Sequence, residues 1–167
     1  MPSFQVNSPK TNVEWLTPPE LIAALGEFDL DPCTPEIMPW QTARFRYTRR
    51  NDGLSGPWFG RVFLNPPFGP YARKWLARLR EHGNGIALVP ARTETRMFFE
   101  SVWGYADGVC FVKGRLKFYR PDGVMATTHI NSPVCLIAYG RDNLDALDRC
   151  GLGVVVTARP SRIKGVG

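Results

Sequence analysis

Arg61-Val62-Phe63-Leu64-Asn65-Pro66-Pro67-Phe68 is the stretch on which the reading of this 167-residue chain turns. A run of bulky apolar residues that breaks into two prolines reads as a strand that stops abruptly. Each proline holds its own φ near about −65° and lacks an N–H, and the residue before a proline is driven to the extended region. Asn65 and Pro66 are therefore expected to be stiff and extended, with carbonyls free to face a ligand. An amide, a free backbone carbonyl and the Phe68 ring, held together at a strand end, can grip a planar group that carries an amino group.

Downstream, Gly69-Pro70 opens a helix. Ala72, Trp75, Leu76 and Leu79 recur at helical spacing, while Arg73, Lys74, Arg78 and Arg80 fall largely elsewhere on its surface. A solvated basic face is the default reading of those cations. Gly83-Asn84-Gly85 ends the helix, and Ile86-Ala87-Leu88-Val89-Pro90 is the next buried strand. Strand, helix, strand in that order argues for a parallel sheet. The loop over 91–96 then leads into a helix containing Met97, Phe98 and Val102, and Gly108 to Val112 is a third buried strand. It runs into Lys113-Gly114-Arg115-Leu116-Lys117-Phe118-Tyr119-Arg120, where cations interleave with apolar residues. Two more strands are expected over 133–139 and 153–158, with a short helix over 143–149 between them.

Upstream, Thr17 is an N-cap candidate, Pro18 suits a first helical position, and Glu20 completes a Thr-x-x-Glu capping box. Leu21, Ile22 and Leu25 form one apolar face, and Gly26 can close the helix. On local grounds, Trp15 and the Thr-Pro pair do no more than start this helix. Phe28 to Asp31 looks like a short strand with a carboxylate at its C-terminal end. In open α/β sheets that is where ligands bind, although an aspartate before proline is equally a turn residue. Ala43, Phe45 and Tyr47 alternate with Arg44, Arg46 and Thr48 in one possible extended segment, and Asn51-Asp52-Gly53 is a strong turn signal. The 27 residues from 34 to 60 are too few for two complete βα units.

Composition sets the outer limits. Hydrophobic residues at 44% and charged residues at 22% are ordinary for a globular protein. No apolar run approaches the roughly 18 residues needed to span a membrane, and the first seven residues have neither a basic start nor an apolar core. A cytoplasmic location is expected. Cys33, Cys110, Cys135 and Cys150 are widely spaced and only His82 and His129 are available, so reduced, mostly buried thiols are preferred over a zinc site. A net charge of +6 hints at a polyanionic partner.

The chemistry of an amino group on a nucleobase fits the opening motif. Its lone pair is delocalised into the ring, so two acceptors that hold both N–H bonds draw the nitrogen toward a tetrahedral form and free the pair. The Asn65 side-chain oxygen and the Pro66 carbonyl are such acceptors. Phe68 can stack on the base and fix its plane for attack on an electrophilic methyl. In a duplex the base must first be flipped out.

Six segments in order resemble the small phage DNA N6-adenine methyltransferases, often prophage-encoded, that use S-adenosylmethionine. They are Glu14-Trp15-Leu16-Thr17-Pro18, Leu30-Asp31-Pro32, Asp52-Gly53-Leu54, Asn65-Pro66-Pro67-Phe68, Val89-Pro90-Ala91-Arg92-Thr93 and Lys113-Gly114-Arg115-Leu116-Lys117-Phe118. The resemblance covers residues 14–118 with the cofactor segments before the catalytic one. It implies a compact, trimmed Rossmann-like α/β fold, with a mixed, mostly parallel sheet flanked by helices. It also implies a single methyltransferase domain over 1–167, with a loose arm at 1–13 and a basic tail at 159–167. Catalysis then falls to Asn65, Pro66, Pro67 and Phe68. Trp15, Thr17, Pro18, Asp31, Pro32 and Asn65 would hold S-adenosylmethionine, and no metal is expected. Asp52, Arg92, Arg96, Lys113, Arg115 and Lys117 would meet DNA, with Arg120 part of the same cationic cluster. In place of the Gly-x-Gly loop of many methyltransferases, Asp31 is followed by Pro32-Cys33-Thr34-Pro35. A monomer or weak dimer in the cytoplasm of a bacterial host is expected. Other readings are amine methylation of RNA or of a protein glutamine, and a non-catalytic DNA-binding relative of the fold.

Overall fold

A computed structural model describes residues 15–127 and 132–158. The expected arm at 1–13 and basic tail at 159–167 lie outside the described residues. Seven strands form one sheet in the order β2-β1-β3-β4-β6-β5-β7. In chain order they are β1 (Leu30–Asp31), β2 (Phe45–Arg46), β3 (Val62–Leu64), β4 (Gly85–Pro90), β5 (Gly108–Val112), β6 (Val134–Tyr139) and β7 (Gly153–Thr157). The helices are α1 (Pro19–Leu25), α2 (Ala72–His82), α3 (Arg96–Ser101) and α4 (Arg141–Cys150).

β2, β1, β3 and β4 are parallel neighbours. β6 is inserted antiparallel between β4 and β5, and β7 pairs antiparallel with β5. Five of the seven strands thus share one direction, as expected of a mixed, mostly parallel sheet. Alternation along each strand splits the core into two layers. Val62, Leu64, Ala87 and Val89 meet Leu76 and Leu79 of α2 and Phe98 of α3. Phe63, Ile86 and Leu88 face Leu21 and Leu25 of α1 and Leu144 and Leu147 of α4. The fold is a three-layer α/β/α arrangement of Rossmann-like type.

The edge at β1 and β2 is trimmed: each strand has two residues, and their parallel connection carries no helix. Here the alternation of Ala43, Phe45 and Tyr47 with polar residues buries no face. Phe45 is 60% exposed and packs edge-on against Phe59 with centroids 5.4 Å apart. An edge strand this short has no second layer to cover that face.

The N-terminal edge of the parallel strands is sealed by a polar knot. The Arg61 guanidinium donates to Asn143 Oδ1 at 2.7 Å and to the carbonyls of Glu27 and Leu25 at 2.8 and 2.9 Å, and it lies 4.2 Å from the Phe28 ring centroid. Asn143, fully buried, donates in turn to Asn84 Oδ1 and to the Tyr139 carbonyl. The opposite edge, where β1, β3, β4 and β5 end, is left to irregular loops.

Candidate active site

At this C-terminal edge the chain leaves β1 for β2 on one side and returns through β3 on the other. β1 and β3 therefore flank a topological switch point, the usual ligand crevice of such sheets. Asp31 ends β1, and Asn65 directly follows β3.

β3 stops because neither Pro66 nor Pro67 has an N–H to continue the ladder. Asn65 is half-buried, Pro66 is buried, and Pro67 and Phe68 face outward. The Asn65 Nδ2 donates to the Thr17 hydroxyl at 2.9 Å. This overturns the capping reading of Thr17. α1 starts at Pro19, Pro18 is its cap residue, and no side-chain cap bond is made. Pro18 itself cannot occupy the first helical position, because its ψ of 133° is extended. The residue before a proline resists helix, and Pro18 precedes Pro19. Thr17 is instead carried away from the helix and buried, at 3% exposure, against Asn65.

Four segments meet at Thr17. Its carbonyl accepts Trp40 Nε1–H at 3.0 Å. Its neighbour Leu16 pairs with Tyr119 through two backbone bonds of 2.8 and 3.2 Å. Trp40 packs edge-to-face on Tyr119, with centroids 5.1 Å apart. Trp40 and Tyr119 escaped the sequence reading because an indole or phenol in an irregular loop has no periodic signal.

Asp31 is also buried. Its Oδ1 accepts the Cys33 N–H at 3.0 Å and its Oδ2 accepts the Thr42 hydroxyl. Thr34 closes the turn by donating its hydroxyl to the Asp31 carbonyl at 3.2 Å. Burial raises the Asp31 carboxyl above its ordinary value; the Thr42 and Cys33 donors, with Thr34 and the nearby Arg46, oppose that rise. Oδ1 thus shapes the Pro32-Cys33-Thr34 turn that stands where a glycine loop is absent, and Oδ2 ties that turn to Thr42. Pro32 is buried beneath it, and Trp15 is half-buried against the apolar layer of α1 and α4.

Asp52 is exposed in the left-handed region with φ 48°, and its Oδ2 accepts the Ser55 hydroxyl at 2.7 Å. The adjacent Gly53 packs on the Pro32 carbonyl, so this segment does reach the Asp31 turn. An open cleft of about 330 Å³ is lined by the segment that connects β1 to β2 and by β2 itself, including Thr34, Met38, Trp40, Thr42, Arg44 and Arg46. Trp40 both lines this cleft and donates to Thr17, the partner of Asn65.

The cations divide. Arg92 is exposed at the end of β4, on the same edge as Asn65. Arg96 is ion-paired to Glu100, which also takes Arg73 in a two-bond bridge. Lys113, Arg115 and Lys117 are exposed in the loop after β5, which leads back to Tyr119 and so to Thr17. Arg120 is held by Asp122. Among the described residues no cluster of histidine, cysteine and acidic side chains could hold a metal ion, and no helix is long and apolar enough to cross a membrane. None of the four cysteines is joined in a disulfide; burial first of all pushes Cys110 and Cys135 up to about 12.

Fold and site together define a Rossmann-like α/β protein whose rigid amide–proline–proline–aromatic run sits at the switch point of the sheet. Residues 6–142 match the family described as DNA N-6-adenine-methyltransferase (Dam), and the chain belongs to that family. No curated protein and no solved structure matches the chain.

Proposed function

We propose that this protein transfers a methyl group from S-adenosylmethionine to the N6 amino group of adenine in DNA. The observation that carries the reading is the Asn65–Thr17 hydrogen bond. With Nδ2 committed to Thr17, Asn65 Oδ1 is left to accept from a target amine beside the Pro66 carbonyl. Phe68, 36% exposed next to them, offers a face on which a flipped base can stack.

S-adenosylmethionine fits the cleft beside β1 by its chemistry. The Trp40 ring and an opening of about 330 Å³ suit a nucleoside. Thr34 ties this lining to the Asp31 turn. When bound, the cofactor supplies an electrophilic methyl group. The chain's own residues do the rest. Asn65 Oδ1 and the Pro66 carbonyl hold the two N–H bonds, and Phe68 fixes the plane of the ring. The amine lone pair would form the new N–C bond as the methyl–sulfur bond of the donor breaks, that bond's electron pair staying on the sulfur of the departing S-adenosylhomocysteine, and the cationic amine would then lose a proton to water. No strong base is needed beforehand. Arg92, Lys113, Arg115 and Lys117 contact phosphates and orient the duplex, while Asp52 borders the base or the cofactor.

Labelled S-adenosylmethionine offered with DNA, RNA and protein acceptors side by side tests this. Label is expected in DNA alone, as N6-methyladenine on nucleoside mass spectrometry. Asn65→Ala is expected to reduce transfer by at least about 10²-fold, since it removes a preorganised polar contact to the reacting group. Sustained transfer by that variant would sink the mechanism.

A further inference from the structure

We infer that Thr17 is a positioning residue for Asn65, its hydroxyl anchoring the side-chain amide in the pose that faces the target amine; this rests on the amino-group chemistry proposed above. A terminal amide is two-fold in shape, and its torsion is broad. Turned one way it presents an acceptor, turned the other a donor. An exocyclic amine needs the acceptor, because two N–H groups facing each other repel and leave both unpaired. The proline that follows Asn65 fixes the backbone but has no hold on this side-chain rotation.

Thr17 supplies that hold. Its hydroxyl is buried and 2.9 Å from Asn65 Nδ2. It is not engaged in capping α1, which starts beyond it without a side-chain cap. Its backbone is clamped from two directions, by Trp40 Nε1 on its carbonyl and by the Leu16–Tyr119 pairing. The hydroxyl is therefore a fixed point to which the Asn65 side chain is tied. Residues 16, 40, 65 and 119 come from four separate loops, so the clamp exists only in the assembled edge. In this arrangement Thr17 acts through Asn65, not through the methyl donor.

Thr17→Val keeps the side-chain shape and removes the acceptor. Its kcat on DNA is expected to fall about 10²-fold, the scale of a small misplacement of a reacting group. Affinity for S-adenosylmethionine, read by calorimetry, is expected to stay within about two-fold, well inside the tenfold steps by which lost contacts are counted. Thr17→Ser is expected to restore most of the rate. Full kcat in Thr17→Val, or a loss of donor affinity matching the loss of rate, overturns the inference.

The side-chain amide protons of Asn65, assigned by their disappearance in Asn65→Ala, give a readout independent of catalysis. Their resonances are expected to shift in Thr17→Val and to be retained in Thr17→Ser. Unchanged resonances in the valine variant overturn the inference. Should the wild-type protein methylate no DNA, the proposed function fails while these resonances still decide the role of Thr17.

Discussion

A Cβ at Gly53 would lie 1.9 Å from the Pro32 carbonyl oxygen and 3.1 Å from the Trp75 ring. The first of these neighbours is backbone, so it cannot swing aside. Gly53→Ala is expected to lower stability by about 1–3 kcal/mol, the usual cost of overpacking. Thermal melting reads this, and an unchanged transition would mean that the Asp31 turn yields freely. The Asn51-Asp52-Gly53 composition announces a turn on its own, and Asp52 indeed takes a positive φ. The reason for the glycine is a carbonyl about twenty positions earlier, which no local pattern reveals. Asn65 was legible for a similar reason: two prolines dictate the backbone around it wherever it stands. Thr17 was misread as a cap because Thr-x-x-Glu is a local signal, and a partner 48 positions away took the hydroxyl instead.

Elements with strong periodicity were readable nearly to their ends. Ala72, Leu76 and Leu79 are buried in α2 as their spacing requires, and Gly83 closes the helix in the left-handed conformation. β5 runs from Gly108 to Val112 as read. β1 and β2 were the weak points, because two-residue strands owe their existence to the neighbours that pair with them. Between α2 and α3, Glu100 accepts from Arg73 and Arg96, and those hydrogen bonds, Arg73 first, hold its carboxyl below the ordinary range. A depressed carboxyl contributes stability above its unfolded value, and that contribution is lost as pH falls through the folded value. Glu100→Gln is therefore expected to lower the urea midpoint at neutral pH, with the difference vanishing in acid and in roughly 1 M salt. A variant that matches the wild type at neutral pH and low salt would show that the bridge adds nothing.

For the whole molecule, the net charge of +6 acquires meaning from its placement. Some cations are committed within the protein: Arg61 to the sealed edge, Arg73 and Arg96 to Glu100, Arg120 to Asp122. Lys113 and Lys117 stand exposed on the loop that returns to Tyr119 beside the site. Replacing either by alanine is expected to weaken DNA binding about equally for all sequences. Each is also expected to reduce the slope of log affinity against log salt by about 1. An unchanged slope would remove that lysine from the phosphate contacts.

What the sequence by itself determined is the local chemistry. The order of strands and helices, the abrupt end of β3 and an amide beside a free carbonyl all follow from side-chain periodicity and the geometry of proline. Those constraints act over a few residues. The tertiary structure alone decided that β6 would slip antiparallel between β4 and β5, that Phe45 would stay in solvent, and that some arginines would be spent on acids. It also brought residues 16, 40, 65 and 119 to one place. Such outcomes depend on which distant segments share a face after the core has closed, and burial, pairing and the fate of each hydrogen-bonding group are properties of that assembly.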